Sequence, residues 1–338
     1  MTCHRQREQA CSTCVNRYVH DYFVVNVGTV IKPSSVDTYR SAYRGYDAYL
    51  AEHDSNVLDA RKEDVVRYIE MCVRRGNREA TLSVKLGAIH NLYRHIRLRM
   101  DVDDGLVLDP IELELIDLQR YNTPDPVDRE ALSREELRRL FDSMESYRNR
   151  LFVITAAETG LRNSDLRNIL VSDVDFDALA IHVPDPKNSK PYDVPISDQL
   201  AFEFRQWLVH HRGAYAAAAK SPYLFPSQTG PKLATNSSLN ELIKDAASRA
   251  GIQDVIGTSE ITPAQRDALK TDKDSRDLHR VTTHTLRHTF LTMLKDADVP
   301  LSYRQLVANH SNPATTMQYE HGTNDAFETI RDRFDPPR

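Results

Sequence analysis

The chain has 338 residues, of which 40% are hydrophobic and 28% charged, and its formal net charge is -5. This composition is typical of a soluble globular protein, and the length predicts two domains rather than one. The sequence has no apolar run of about 18 residues and no charged-then-apolar leader, so we expect no membrane span, no secretory signal and a cytoplasmic location.

The charge is unevenly distributed along the chain. Residues 1–100 hold 16 Lys and Arg against 11 Asp and Glu, a net of +5, whereas residues 101–130 hold 2 against 10, a net of -8. Local patches, rather than the total charge, set the field that a phosphate experiences. The acidic total therefore does not exclude a nucleic-acid partner for the basic first hundred residues.

Three of the four cysteines, Cys3, Cys11 and Cys14, lie near the start of the chain with histidines nearby. Such a cluster can form a small zinc site, but the usual second ligand pair is missing, so the favoured interpretation is a reduced segment without metal. Cys72 lies in a helical pattern and is predicted to be a core residue.

A helical module is predicted from Ser35 onward, because apolar residues recur there at three- and four-residue steps. Its third helix, residues 81–96, carries one apolar face. Residues 70–100 contain seven Lys and Arg against two acids, and a merely solvated face normally alternates its charges. We therefore predict a DNA-facing surface on this helix, formed by Lys85, Arg94, Arg97 and Arg99.

The stretch "QRYNTPDPVDREALS" contains two prolines and reads as an exposed linker. It divides the chain into an N-terminal segment with the Cys and His cluster (1–34), a helical module (35–120), the linker (121–131) and a second domain (132–338).

The second domain is predicted to be mostly helical with a small antiparallel sheet. Ser133 and Glu136 form a capping box that opens a helix, and a later apolar helix stops at Gly160. Residues 174–184 and 192–196 alternate as strands around the polar turn "DPKNSK", and helices return after them. The fold class is therefore mainly α, with an α+β second domain.

The stretch "HTLRH" places His284, Arg287 and His288 within one helical turn, where all three can project to one side. The two histidines have the spacing of a helical zinc pair, but an arginine between two ligands repels a metal. Arginine matches phosphate oxygens and histidine moves protons near neutral pH, which favours a phosphate site.

Together with four other short motifs, this stretch resembles the tyrosine recombinases, also called phage integrases. Each motif is weak alone, but they follow the family's order and spacing over the second domain, and the first module looks like the family's core-binding domain. The motifs are "TGLRNSDL" with Arg162, "KNSK" with Lys187, "HTLRH" with His284 and Arg287, "ANH" with His310 and "MQYEH" with Tyr319.

The resemblance implies that Tyr319 attacks a DNA phosphodiester, which gives a 3′-phosphotyrosyl link and a free 5′-hydroxyl. Arg162 and Arg287 would stabilise the charge on the nonbridging oxygens. His284 would act as the base, and Lys187 would protonate the leaving oxygen.

The remaining positions are assigned supporting parts by the same resemblance. His310 would donate a hydrogen bond to a nonbridging oxygen, Asp165 would orient the guanidinium of Arg162, and His288 would be structural. The family usually has Leu-Gly before the histidine of "ANH", and here Ala308 and Asn309 replace that pair.

Because the phosphotyrosyl bond stores the energy of the broken ester, no cofactor, ATP or metal is expected. The expected partners are double-stranded DNA at specific sites, a homotetramer of this chain on two sites, and accessory DNA-bending proteins, with no membrane. Lys190 competes with Lys187 as the acid, and Tyr303 and Tyr223 are alternatives to Tyr319.

Several functional alternatives stay open. Within the same chemistry they are a dimer-resolution recombinase and a relaxase that resembles type IB topoisomerases. From other classes they are a DNA-binding module with a degenerate active site and a zinc hydrolase. A two-metal nuclease would need converging carboxylates, and the acidic run at 101–104 looks instead like part of a solvated segment.

Overall fold

The computed structural model describes most of the chain. The described residues are 17–32, 35–99, 107–125, 129–184, 186, 190–233, 235–261, 266, 272–273, 275–308 and 323–334. They divide into two compact units: the described residues within Met1–Val127 and Thr258–Arg276 form the first, and those within Asp128–Gly257 and Asp277–Arg338 form the second.

The first unit is built from helices whose apolar faces meet in one core. The helices are α1 (Arg17–Asn26), α2 (Val36–Glu52), α3 (Lys62–Arg74), α4 (Glu79–Arg99) and α5 (Pro110–Glu114). Helix α4 is the central element, since the other four all pack against it. Cys72 is buried in this core, as predicted.

Tyrosines of α2 fill much of the core, and their hydroxyls find partners inside it. The hydroxyl of Tyr43 donates to the carbonyl of Ala88 over 3.1 Å. The hydroxyls of Tyr46 and Tyr93 hydrogen-bond to each other over 3.0 Å. Each pairing offsets the free energy that burial of an unsatisfied hydroxyl would cost, so α2 and α4 are held in one register.

Helix α1 precedes residue 35, where the sequence pattern placed the start of the module. Its residues Tyr22 and Phe23 are buried in the same core. The ring of His95 bridges Asp21 (Nε2 to Oδ2, 2.9 Å) and Asn26 (Nδ1 to Nδ2, 3.2 Å). The helical module of this protein therefore begins by residue 17, because buried polar as well as apolar groups connect α1 to α4.

The second unit contains eight α-helices among its described residues. They are α6 (Arg134–Asp142), α7 (Tyr147–Thr159), α8 (Asn163–Asn168), α9 (Asp198–Gln206), α10 (Asn236–Arg249), α11 (Thr283–Asp296), α12 (Leu301–Ala308) and α13 (Thr323–Arg333). The predicted capping box is present, since Ser133 Oγ accepts from the Glu136 amide and the Glu136 side chain accepts from the Ser133 amide.

A three-stranded antiparallel sheet lies beside these helices, in the order β1-β2-β3. Its strands are β1 (Val174–Asp175), β2 (Ala180–Val183) and β3 (Tyr192–Pro195), and Ile181 pairs with Val194. This confirms the predicted hairpin. A second sheet, β4 (Val255–Glu260) with β5 (Ser275–His279), was not predicted, because those segments lack a regular apolar alternation.

Helix α7 lies at the centre of the second unit, and every residue from Leu151 to Thr159 is buried. A helix that is buried on all sides must be surrounded by other elements, and α6, α8, α9 and α11 pack against it. The predicted fold class, mainly helical with a small antiparallel sheet, is confirmed. None of the described helices is long and apolar enough to cross a membrane.

Candidate active site

The turn that follows α7 carries the first candidate residue. Gly160 ends the helix in the left-handed conformation, with φ of 60°, and Arg162 is the N-cap of α8. Asp165, one turn into α8, has a side chain that is only 3% exposed, and its Oδ2 lies 4.0 Å from Nη1 of Arg162. The buried core under this turn thus fixes the backbone position from which the side chain of Arg162 extends.

Arg287 reaches the same turn from α11. Its Nη1 donates to the carbonyl of Gly160 over 2.6 Å, and its Nη2 donates to the carbonyl of Ala308 at the end of α12. A guanidinium has five N–H donors, so these two bonds orient the group and leave donors for a further acceptor. The side chain is buried, which makes this orientation rigid.

Arg162 and Arg287 are therefore both positioned at the turn after α7. Burial lowers the pKa of Arg287, the charge of Arg162 lowers it further, and Tyr192 and Asp165 oppose that effect. Asp165 offsets part of the repulsion between these two like charges, and the remaining repulsion favours a further anion. A phosphate, with several oxygen acceptors, meets this requirement.

His284 lies in the first turn of α11, beside the guanidinium of Arg287. Although its side chain reaches solvent, desolvation of the ring is the largest cause that lowers its pKa, followed by the charges of Arg129, Arg287 and His288. Since the ordinary value is 6.5, the ring is neutral at pH 7 and can accept a proton.

The three side chains of the predicted trio on α11 differ in exposure. His284 and His288 are exposed, whereas Arg287 is buried. Arg287 is buried because the carbonyls of Gly160 and Ala308 accept hydrogen bonds from its guanidinium inside the unit.

Three predicted catalytic residues, Lys187, His310 and Tyr319, lie outside the described residues. The flanking elements are described: Lys187 lies in the chain between β2 and β3, and the carbonyl bound by Arg287 belongs to Ala308, two residues before His310. The rival Lys190 is exposed. Sequence reasoning did not find Arg129. It also did not find the carbonyls of Gly160 and Ala308, because backbone acceptors have no sequence signature.

Comparison with known proteins supplies the family. A model of the phage integrase family matches residues 130–325, and a model of the phage integrase N-terminal SAM-like domain matches residues 15–99. The chain belongs to the phage integrase family. It is a tyrosine recombinase, an enzyme that acts on DNA at specific sites, as the motifs predicted.

XerD and XerH match nearly the whole recombinase, whereas one relative of higher identity matches a little over half of it. Tyrosine recombinase XerD of Yersinia pestis is 22% identical over 311 residues, 90% of this chain and 91% of XerD. XerA of Thermococcus kodakarensis is 31% identical over 193 residues, 56% of this chain and 57% of XerA. The structure of XerH bound to its difH substrate has a TM-score of 0.61 at 18% identity and covers 94% of this chain and 91% of XerH, which supports the same fold.

No group of three His, Cys, Asp or Glu side chains in the described part of the recombinase is arranged to hold a metal ion. His284 and His288 therefore have no third described residue with which to form a zinc site. The cysteines near the start of the chain, Cys3, Cys11 and Cys14, lie outside the described residues.

The four basic residues predicted to face DNA differ in their surroundings within the first unit. Lys85 Nζ lies 3.5 Å from Sγ of Cys72, and Arg97 Nη1 lies 2.7 Å from Oδ2 of Asp109. Arg94 and Arg99 are exposed. Lys85 and Arg97 thus already have partners inside the recombinase, while the other two side chains reach solvent.

Proposed function

We propose that this recombinase breaks and rejoins DNA strands through Tyr319, with Arg162 and Arg287 as the phosphate-binding pair. The observation that carries the proposal is the placement of both arginines at the turn after α7, where Arg287 donates to the Gly160 carbonyl and the charge of Arg162 lowers the pKa of Arg287. A fixed cationic pair of this kind stabilises charge that develops on phosphate oxygens.

In the proposed step, the phenol oxygen of Tyr319 forms a bond to phosphorus while the bond from phosphorus to the 5′-oxygen breaks. The phenol proton passes to the neutral ring of His284, and Lys187 gives a proton to the leaving 5′-oxygen. His310 donates a hydrogen bond to a nonbridging oxygen. Attack by a 5′-hydroxyl of another strand reverses the step and restores the phenol.

Asp165 supports the pair by its position beside Arg162, and its negative charge favours the protonated guanidinium of Arg287. His288, exposed one turn after His284, helps to keep the latter neutral by its effect on the pKa. The proposed chemistry uses no cofactor.

We further propose that the first unit is the core-binding domain, that the active form is a homotetramer on two double-stranded DNA sites, and that it acts in the cytoplasm with accessory DNA-bending proteins. Solved structures with this fold support the assembly: lambda integrase has been solved as a dimer bound to a COC′ core site and as a tetramer bound to a Holliday junction, with TM-scores of 0.61 and 0.59.

The test is covalent capture of DNA. The protein is incubated with a pool of sheared host DNA, denatured with detergent, and the DNA that stays attached is sequenced to obtain the target site. A nicked duplex of that site then traps the intermediate. We expect a covalent product that survives EDTA and disappears in Tyr319→Phe. Absence of attached DNA with the unmodified protein, or persistence in Tyr319→Phe, contradicts the proposal.

The DNA-binding role proposed for the first unit has a matched test. Arg94→Gln and Arg99→Gln should weaken binding to the captured site and reduce the slope of log affinity against log salt by about 1 for each phosphate that is no longer neutralised. Lys85→Gln and Arg97→Gln change side chains that have internal partners, and we expect a smaller change in slope. Equal slopes in all four variants would contradict DNA binding through the exposed pair.

A further inference from the structure

Three polar side chains form a junction next to the proposed active site. Asn163 Nδ2 donates to Oγ1 of Thr283 over 3.3 Å. The same Oγ1 donates to Oδ1 of Asn240 over 2.9 Å, and the Thr283 amide donates to that oxygen over 3.3 Å. Thr283 is buried, so these bonds are sheltered from water.

Each outer helix of the junction carries a proposed catalytic residue as the direct chain neighbour of a junction residue. Asn163 follows Arg162 at the start of α8, and Thr283 precedes His284 at the start of α11. The hydrogen bond between Asn163 and Thr283 therefore sets the distance between two helix starts. The start of α8 presents the phosphate-binding Arg162, and the start of α11 presents the base His284.

A second set of hydrogen bonds connects α8 to the segment that precedes α10. Arg167 Nε donates to Oδ1 of Asn163 over 3.0 Å, and its Nη1 donates to the carbonyl of Leu233, just before α10. Both amide atoms of Asn163 are therefore used, one toward α11 and one toward Arg167. Helices α8, α10 and α11 are connected as a single body by side chains rather than by apolar packing alone.

We propose that Asn163, Thr283 and Asn240 are positioning residues, which hold Arg162 and His284 in the geometry that the phosphoryl transfer needs. The inference rests on the proposed function and adds residues that act through others. A shift of about 1 Å in a reacting group can lower a rate about a hundredfold, so removal of this junction should act on the chemical step more than on DNA binding.

The variants follow from which atom each side chain uses. Thr283→Val keeps the shape of the side chain and removes its hydroxyl, whereas Thr283→Ser keeps the hydroxyl. Asn163→Asp removes the donor to Thr283, whereas Asn240→Asp keeps the acceptor that Thr283 uses. Both aspartate variants add one negative charge, so a difference between them reflects the missing hydrogen bond. Asn168→Ala, an exposed asparagine on α8 outside the junction, is the control.

Single-turnover cleavage of the captured, nicked site and affinity for that site are measured side by side. We expect Thr283→Val and Asn163→Asp to cleave about tenfold or more slowly with affinity within about twofold of the unmodified protein. Thr283→Ser, Asn240→Asp and Asn168→Ala should cleave within about threefold of the unmodified rate.

Unmodified rates in Thr283→Val and Asn163→Asp overturn the inference, as do decreases of rate and affinity in equal proportion. If Thr283→Val does not fold, the half-buried Asn163→Asp decides. If the unmodified protein forms no covalent product, the proposed function is overturned, and this inference with it. That outcome is distinguishable from failure of the inference alone, because it appears in the protein without any substitution.

Discussion

Gly160 connects helix stability to the active site, and Gly160→Ala should damage both. Its φ of 60° is a conformation that L side chains rarely adopt, and a Cβ built on its backbone lies 2.3 Å from Cδ1 of Phe290. Phe290 is buried, so its ring has little room to retreat. The Gly160 carbonyl also orients Arg287, and any shift of the turn moves that guanidinium.

Two contributions set the magnitude. An alanine in the left-handed region costs about 1 kcal/mol. Crowding of a packed core by an added methyl group costs about 1–3 kcal/mol more. We therefore expect Gly160→Ala to lower the free energy of unfolding by about 2–4 kcal/mol. Gly251→Ala is the matched control, because Gly251 has φ of 66° but no atom within 4 Å of its built Cβ. It should show only the backbone contribution, about 1 kcal/mol.

The assay is urea unfolding followed by tryptophan fluorescence. The chain contains one tryptophan. That residue, Trp207, is fully buried in the second unit, so the signal reflects the unit that contains both glycines. Phe290→Leu, combined with Gly160→Ala, should recover part of the crowding contribution. The reasoning is refuted if Gly160→Ala is no less stable than Gly251→Ala, or if the Phe290 change recovers nothing.

Three further predictions concern other parts of the molecule. A hydrogen bond from Arg280 lowers the pKa of Glu136 from 4.5 to about 2, so Glu136→Gln should destabilise the fold at pH 7 by on the order of 2 kcal/mol, a difference that shrinks as pH falls through that interval. Arg129 lowers the pKa of His284, so Arg129→Gln should move the acid limb of the cleavage profile to higher pH. Tyr46→Phe leaves the Tyr93 hydroxyl without its bond and should lower the free energy of unfolding by about 1–2 kcal/mol.

Each of these predictions has a control in the chain. Glu135→Gln changes an exposed neighbour of Glu136 and should leave the stability profile nearly unchanged. Arg134→Gln, an exposed arginine, should not shift the acid limb of the cleavage profile. In circular dichroism unfolding, the double change of Tyr46 and Tyr93 to Phe should be less destabilising than the sum of the single changes. An additive double variant would contradict the shared hydrogen bond.

Local patterns in the sequence predicted many elements of the second unit correctly. The capping box at Ser133, the helix stop at Gly160 and the strand alternation around residues 180–195 depend on side chains close in the chain, so periodicity and turn chemistry reveal them. The motif residues themselves identified the family. Helix α1 and the pair β4 and β5 were missed, because packing and pairing with distant segments stabilise them more than any local pattern does.

The family, the fold class and the candidate residues for the chemistry can all be predicted from the sequence, since they follow from residue types at given spacings. The folded structure was needed to show that Arg287 turns inward to the carbonyls of Gly160 and Ala308 while His284 stays at the surface. Only it brought Asn163 to Thr283, 120 positions along the chain. The physical reason is that a hydrogen bond to a distant backbone or side-chain atom is chosen by packing, which no short stretch of sequence contains.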